Sequence, residues 1–244
     1  MKNTEIIFVI DASGSMAHLV GDTIGGFNGF IESQKAIEGK AILTTVLFDS
    51  TWKILHDGVD IREVKPMTKS DYVAGGMTAM LDAIGEVINK VQDRHDELGV
   101  EKPEEVLFVI TTDGEENSSR KFTKSQIEKM IKHQTNGHGW KFMFLGANMD
   151  AVKEATDIGI SSNYATNYTY TAQGTSSVFA TMDCVTKSVR GCVDSLVGEI
   201  GDEFVLSNAY AACSSDIDAA IKTSADTISD VSDVANTIAI ATLD

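Results

Sequence analysis

The sequence predicts an α/β fold: a doubly wound, mostly parallel sheet flanked by helices, followed by a C-terminal α-helical extension. Three observations carry that prediction. Runs of β-branched and aromatic residues alternate with stretches of helical period, the pattern of βαβ units. Two of those runs, Ile6 to Ile10 and Val106 to Ile110, are apolar throughout, as strands buried on both faces are. Both end in polar loops containing Asp and Gly, and open α/β sheets bind ligands at the carboxyl ends of their strands.

The elements follow in order. Ile6 to Ile10 is a strand stopped by Asp11. Helical character follows from about Ala17 to Ile37, although Gly25, Gly26 and Gly29 each cost about 1 kcal/mol against Ala. Ala41 to Phe48 is a second strand, and Thr51 to Leu55 a third after a turn at Asp49-Ser50. Thr78 to Glu97 places Leu81, Ile84, Val87, Ile88 and Val91 at helical spacing. The strand Val106 to Ile110 leads through Thr111 to Gly114 towards a helix near Lys124 to Gln134. A strand from Lys141 to Leu145 and a short helix from Asn148 to Asp157, capped by Gly159, complete the alternation.

Beyond Ser176 the pattern is helical. Val178, Met182, Val185, Val189, Cys192 and Leu196 are spaced 4-3-4-3-4. After an apolar stretch from Phe204 to Cys213, Ser215 to Asp218 reads as a helix start. Ile217, Ile221, Ser224, Ile228, Val231, Ala235 and Ile238 then keep a 3.5-residue period. The expected division is a domain over 1–190 and an acidic helical extension over 191–244. That extension either packs on its own domain or assembles copies into a homo-oligomer.

Charge narrows the partners. The chain has 244 residues, 36 Asp plus Glu and 20 Lys plus Arg, for a net charge of −16. Phosphate backbones and anionic membranes repel such a chain, so neither nucleic acid nor membrane is an expected partner. Ten acids and one base, Lys222, give residues 191–244 a charge of −9 and leave −7 for residues 1–190. Cys184, Cys192 and Cys213 form no C-x-x-C pair, which argues against a zinc site and fits small buried residues in a reducing compartment. The apolar run at the N-terminus is too short for a signal-peptide core, so the expected location is cytoplasmic.

The chemistry gathers in three segments. Asp11-Ala12-Ser13-Gly14-Ser15 sets one carboxylate and two hydroxyls at alternate positions, which lie on one side of an extended chain. Gly75-Gly76-Met77-Thr78 adds a hydroxyl at a helix start, and Thr112-Asp113-Gly114-Glu115 adds a second carboxylate after a strand. An all-oxygen set suits a hard divalent ion, Mg²⁺ first, with Mn²⁺ or Ca²⁺ as substitutes. Two carboxylates cancel its charge without filling its shell. A position is left for an outside carboxylate, so the arrangement points to binding through a metal bridge.

These residues resemble the von Willebrand factor A domain family, whose metal-ion-dependent adhesion site reads D-x-S-x-S, then Thr, then Asp. Asp11, Ser13, Ser15, Thr78 and Asp113 match all five positions. Phe48-Asp49 and Phe144-Leu145-Gly146-Ala147-Asn148 also fit, and the resemblance runs from about Met1 to Arg190. It looks most like the free-standing intracellular bacterial and phage members. The resemblance implies Ser13, Ser15 and Thr78 as hydroxyl ligands, with Asp11 and Asp113 acting directly or through water. It also implies a protein partner whose Asp or Glu completes the shell. Residues 191–244 share no such resemblance.

The expected function is therefore a non-enzymatic, Mg²⁺-dependent interaction module with a helical tail. One alternative is a structural or assembly subunit, of a virion or other particle, that uses the domain as a scaffold. A Mg²⁺-dependent hydrolase is the lesser alternative, because acid–base groups are wanting. An aspartyl-nucleophile phosphatase needs an acid two residues after Asp11, and Ser13 stands there. No glycine-rich nucleotide loop follows the first strand. His18 reads as a surface helix residue, His56 and His95 stand alone, and His133 and His138 flank a polar loop. Arg120, Lys121 and Lys124 read as a solvated helix start, or as a lure for an acidic partner.

Overall fold

A computed structural model describes residues 2–191 and 206–215. The apolar runs become β1 (Thr4–Asp11), β2 (Ala41–Phe48), β4 (Glu105–Thr112) and β5 (Lys141–Gly146), joined by β3 (Trp52–Asp60) and β6 (Ala165–Asn167). They form one sheet in the order β3-β2-β1-β4-β5-β6, parallel except for β3, which runs antiparallel to β2 at the edge. The order of connection reverses between β1 and β4. This reversal opens a crevice at their carboxyl ends, where Asp11 and Asp113 lie.

Helices α1 (Val20–Lys35), α2 (Met80–Leu98), α3 (Lys124–His138), α4 (Ala151–Asp157) and α5 (Ala172–Val189) cover the sheet. The pleat divides the β1 side chains between two cores. Ile6, Phe8 and Ile10 pack with α1 and α5, through Phe27, Phe30, Phe179 and Met182. Ile7 and Val9 pack on the other face with α2, α3 and α4, through Ile84, Val87, Ile127 and Ala155. Residues 206–215 are helical and join the first core through Leu206 and Ala209. Among the described residues no helix is long and apolar enough to cross a membrane.

Several boundaries differ from the sequence expectation for identifiable reasons. β3 continues past Leu55 to Asp60 because backbone pairing with β2 carries it through the polar residues His56 and Asp57. β6 has only three residues, too few to show a period, and is held by β5. α4 starts at Ala151, not Asn148, because Asn148 takes a left-handed conformation and Asp150 caps the helix through the Lys153 N–H. The heptad stretch Ile217 to Ile238 lies outside the described residues.

The glycines of α1 are not equivalent. A Cβ on Gly26 would lie 2.2 Å from Phe179 Cδ2, so Gly26 lets α5 approach α1. Among the described residues nothing lies within 4 Å of a Cβ on Gly25 or Gly29. Gly25→Ala and Gly29→Ala are expected to stabilise the protein by up to about 1 kcal/mol each. Gly26→Ala should instead destabilise it by about 1–3 kcal/mol through overpacking, as read by urea unfolding.

Arg190 closes this face. Its guanidinium is 1% exposed and donates to Gln34 Oε1 and to the carbonyls of Gln34, Ile37, Glu38 and Gly39. A cation at a helix carboxyl end satisfies carbonyls that have no partner within the helix. The end of α5 is thereby tied to the end of α1.

Candidate metal centre

Asp11 is the last residue of β1, and each of its carboxylate oxygens already accepts a bond. Oδ1 accepts the Ser13 N–H at 2.7 Å, and Oδ2 accepts the Thr112 hydroxyl at 2.6 Å. Ser13 Oγ lies 3.0 Å from Ser15 Oγ, and Ser15 Oγ donates to Asp113 Oδ1 at 2.7 Å. Four of the five candidate residues thus form one chain of contacts across the crevice between β1 and β4.

Thr78 reaches the same place through backbone ties. The N–H of Gly14 donates to the Gly76 carbonyl at 3.2 Å, and that of Gly75 to the Ala12 carbonyl at 2.8 Å. Thr78 Oγ1 lies beside Gly114, 3.9 Å from where a Cβ there would sit. The Thr78 N–H donates to Asn117 Oδ1 at 2.9 Å, and its carbonyl accepts the Asn117 N–H at 3.1 Å. Phe48 and Asp49 support both segments, their carbonyls accepting the N–H groups of Ala12 and Ala79. Asp11, Ser13, Thr78 and Asp113 are buried, while Gly14 and Ser15 are exposed, so the cluster opens to solvent at Ser15.

The loop after Asp113 is fastened to the start of α2 from both sides. Glu116 accepts the N–H groups of Leu81, Ser118 and Ser119. Asp82 accepts those of Arg120, Lys121 and Phe122. Burial pushes the Asp82 carboxyl up, but these backbone bonds outweigh it and hold the group below its ordinary value. Lys121 is paired with Glu86 at 2.7 Å, and Lys124 with Glu154 at 2.7 Å and Asp157 at 3.4 Å. Both ammonium groups are engaged within the chain.

Three tyrosines that no sequence motif marked surround the cluster. Tyr72 donates to the Asp11 carbonyl at 2.5 Å, and Tyr170 donates to the Ser15 carbonyl. Tyr168 is buried behind them. Burial, and then the charges of Asp11 and Asp113, raise the phenols of Tyr72 and Tyr168 above their ordinary range, so they remain donors. His18 stands edge-on to Tyr170 with ring centroids 4.7 Å apart, and its Nδ1 is 3.4 Å from the Tyr170 hydroxyl. Tyr72 and Tyr170 lie 61 and 155 residues from their carbonyl partners, so local spacing holds no trace of them.

Two observations test whether this cluster suits a divalent cation. Burial raises the Asp11 carboxyl to about 6 against the bonds from Thr112 and Ser13, and the charge of Asp113 adds to the rise. Asp113 Oδ2 is buried with no hydrogen-bond partner among the described residues. Two desolvated carboxylates facing hydroxyl oxygens form a site whose cost a cation would relieve. Among the described residues no group of three or more His, Cys, Asp or Glu is placed to hold a metal. With three hydroxyls and two carboxylates the candidate donors are hydroxyl-rich, unlike a zinc site or a carboxylate-rich calcium cage.

Gly76 sets the spacing between the first two segments. Its φ is +70°, and a Cβ would lie 2.7 Å from Ser50 Oγ, which accepts the Met77 N–H at 2.8 Å. Gly76→Ala is expected to cost about 1–3 kcal/mol and to weaken Mg²⁺ binding. Urea unfolding and calorimetric titration check the two effects separately.

No protein-family model matches this chain, and no curated protein does. Solved structures do. The PilB minor pilin from Streptococcus sanguinis aligns over 76% of this chain and 61% of its own, with 12% identity and a TM-score of 0.55. Proximal thread matrix protein 1 from the mussel byssus aligns over 76% of this chain and 48% of its own, with 15% identity and a TM-score of 0.53. The chain spans less than two thirds of the length of either. At these identities the likeness is one of fold, a sheet of this kind wrapped by helices on both faces.

Proposed function

We propose that this chain is a non-enzymatic interaction module that captures a protein partner through an Asp or Glu carboxylate at a divalent metal, Mg²⁺ in the first place. The observation that carries this reading is the buried, unbonded Asp113 Oδ2 beside the linked hydroxyls of Ser13 and Ser15. The resemblance of Asp11, Ser13, Ser15, Thr78 and Asp113 to a von Willebrand factor A adhesion site supports it. Asp11, Ser13, Ser15, Thr78 and Asp113 would hold the metal, Asp11 and Asp113 directly or through water. A bound Mg²⁺ supplies an electrophilic position for an outside carboxylate.

The chain's own residues prepare that position. Thr112 and the Ser13 N–H occupy one site on each Asp11 oxygen and orient the carboxylate. The Ser15 hydroxyl, now donating to Asp113, must turn its proton away to present a lone pair. Tyr170 holds the Ser15 carbonyl and so steadies the exposed end of the loop. Residues 206–215, whose Leu206 and Ala209 lie in the domain core, support packing of that part of the extension on its own domain. The location proposed is the cytoplasm of a bacterium, with a phage origin included.

Magnesium titration of the full chain tests the site first. Ser13→Ala and Asp113→Ala are expected to lower Mg²⁺ affinity at least about tenfold, one hydroxyl or carboxylate ligand being worth more than 1.4 kcal/mol. Capture of a protein from bacterial lysate should then depend on Mg²⁺ and fail in EDTA. Capture that survives EDTA and both substitutions overturns the proposal.

A further inference from the structure

We propose that Cys184 and Cys213 are a redox-sensitive pair whose disulfide fastens the 206–215 helix to α5. Both are thiols, and their sulfurs lie 3.8 Å apart. A disulfide needs about 2.05 Å, so the sulfurs close by less than 2 Å, a movement within reach of side-chain rotation. Helical period directs Cys213 to this place. Leu206, Ala209 and Cys213 are the buried positions of their helix, while residues 207, 208, 211 and 212 are exposed. Opposite them α5 presents Val185 and Val189 in the same core as Leu206 and Ala209, with the half-buried Cys184 alongside.

Leu206 and Ala209 supply the buried aliphatic surface of this helix, and Tyr210 accepts the Thr169 N–H at 3.3 Å. A covalent tie between residues 184 and 213 closes a ring of about 30 residues and removes the opened conformations in which the helix leaves α5. It also keeps Tyr210 against the loop that carries Tyr168 and Tyr170.

The oxidant is a peroxide. One thiol gives up its proton, its thiolate attacks hydrogen peroxide and breaks the O–O bond, and the departing hydroxide takes that proton, giving a sulfenic acid and one water. The second thiol then attacks the sulfenic sulfur, forming the S–S bond and releasing a second water. Two thiols are oxidised by two electrons and one peroxide is reduced, and exchange with a dithiol reverses the step.

The full chain is treated with hydrogen peroxide, alkylated and mapped by mass spectrometry. Trypsin alone leaves Cys192 and Cys213 on one peptide, since no Lys or Arg lies between Arg190 and Lys222. A second digestion, after Glu199 and Glu203, separates them. The expected product is an intramolecular Cys184–Cys213 cross-link with Cys192 still alkylated, so that reactive thiols fall from three to one. Cys192→Ser should retain the cross-link, Cys184→Ser and Cys213→Ser should lose it, and dithiothreitol should reverse it. Amide exchange over 206–215 should slow at least about tenfold on oxidation. A cross-link through Cys192, a bond found only between molecules, or sulfinic acid at Cys184 without a cross-link each overturns the proposal.

Discussion

Asp11→Asn is expected to make the metal-free protein more stable and to abolish its response to Mg²⁺. Asp11 is 1% exposed, and burial raises its carboxyl from 3.8 to about 6. At pH 7 the group is charged in both the folded and the unfolded chain, so the folded chain bears the cost of burying the charge. By linkage that cost is about 3 kcal/mol. As pH falls through 6 the folded form takes up the proton first, and the gain is complete below 3.8. In EDTA this group therefore favours folding more at pH 5 than at pH 7.

The amide of Asp11→Asn fits the same place without the charge. Its oxygen accepts the Ser13 N–H, and its NH₂ donates to Thr112 Oγ1. The Thr112 proton can turn to the Gly114 carbonyl, 2.9 Å away. The melting temperature in EDTA at pH 7 should rise by about 5 °C or more, as a gain of 2–3 kcal/mol gives in a domain of this size. Mg²⁺ should raise the melting temperature of the native protein and leave that of the variant unchanged. A variant that melts no higher in EDTA and still responds to Mg²⁺ contradicts both halves of the prediction.

Glu5→Ala is expected to be strongly destabilising although Glu5 lies outside the candidate metal cluster. Glu5 is fully buried at the start of β1. It accepts from Arg94, from His95 Nε2 at 2.8 Å and from the Thr44 hydroxyl at 3.0 Å. Truncation leaves His95 Nε2 without its acceptor in a dry site and takes one acceptor from Arg94, which keeps Asp57 and Thr44; the cost is about 3 kcal/mol. Glu5→Gln keeps an acceptor and should cost less than half of that. These contacts tie the carboxyl end of α2 to β1 and β2, and α2 begins two residues after Thr78. The alanine variant should therefore also weaken Mg²⁺ binding, although Glu5 belongs to the far end of β1. Urea unfolding checks the first effect and calorimetric titration the second. A cost below about 1 kcal/mol would show that the ion cluster does not hold α2 in place.

The parts of the fold that were legible in sequence are those with strong local patterning. β1, β2, β4 and β5 are long apolar runs, and their buried interiors follow from that composition. α2 has a clean helical stripe, and its boundaries fall within two residues of the expected Thr78 to Glu97. β6 escaped notice because three residues carry no period. Gly26 counted against α1 as a propensity defect, but in the fold it is the contact that admits Phe179. Only the partner helix reveals that difference.

The sequence by itself determined which residues offer candidate oxygen donors and that Asp11 and Asp113 close buried strands, because composition and alternation are local properties. It also determined that more than half of the net negative charge, −9 of −16, lies beyond residue 190. The tertiary structure alone decided that Asp11 and Asp113 meet at the reversal between β1 and β4, and that Thr112, Tyr72 and Tyr170 brace the loop between them. It alone set Arg190 on the end of α1 and brought Cys213 to Cys184. The physical reason is the same in each case. Such contacts join residues tens to more than a hundred positions apart, and strand order and helix packing bring them together where no local period can.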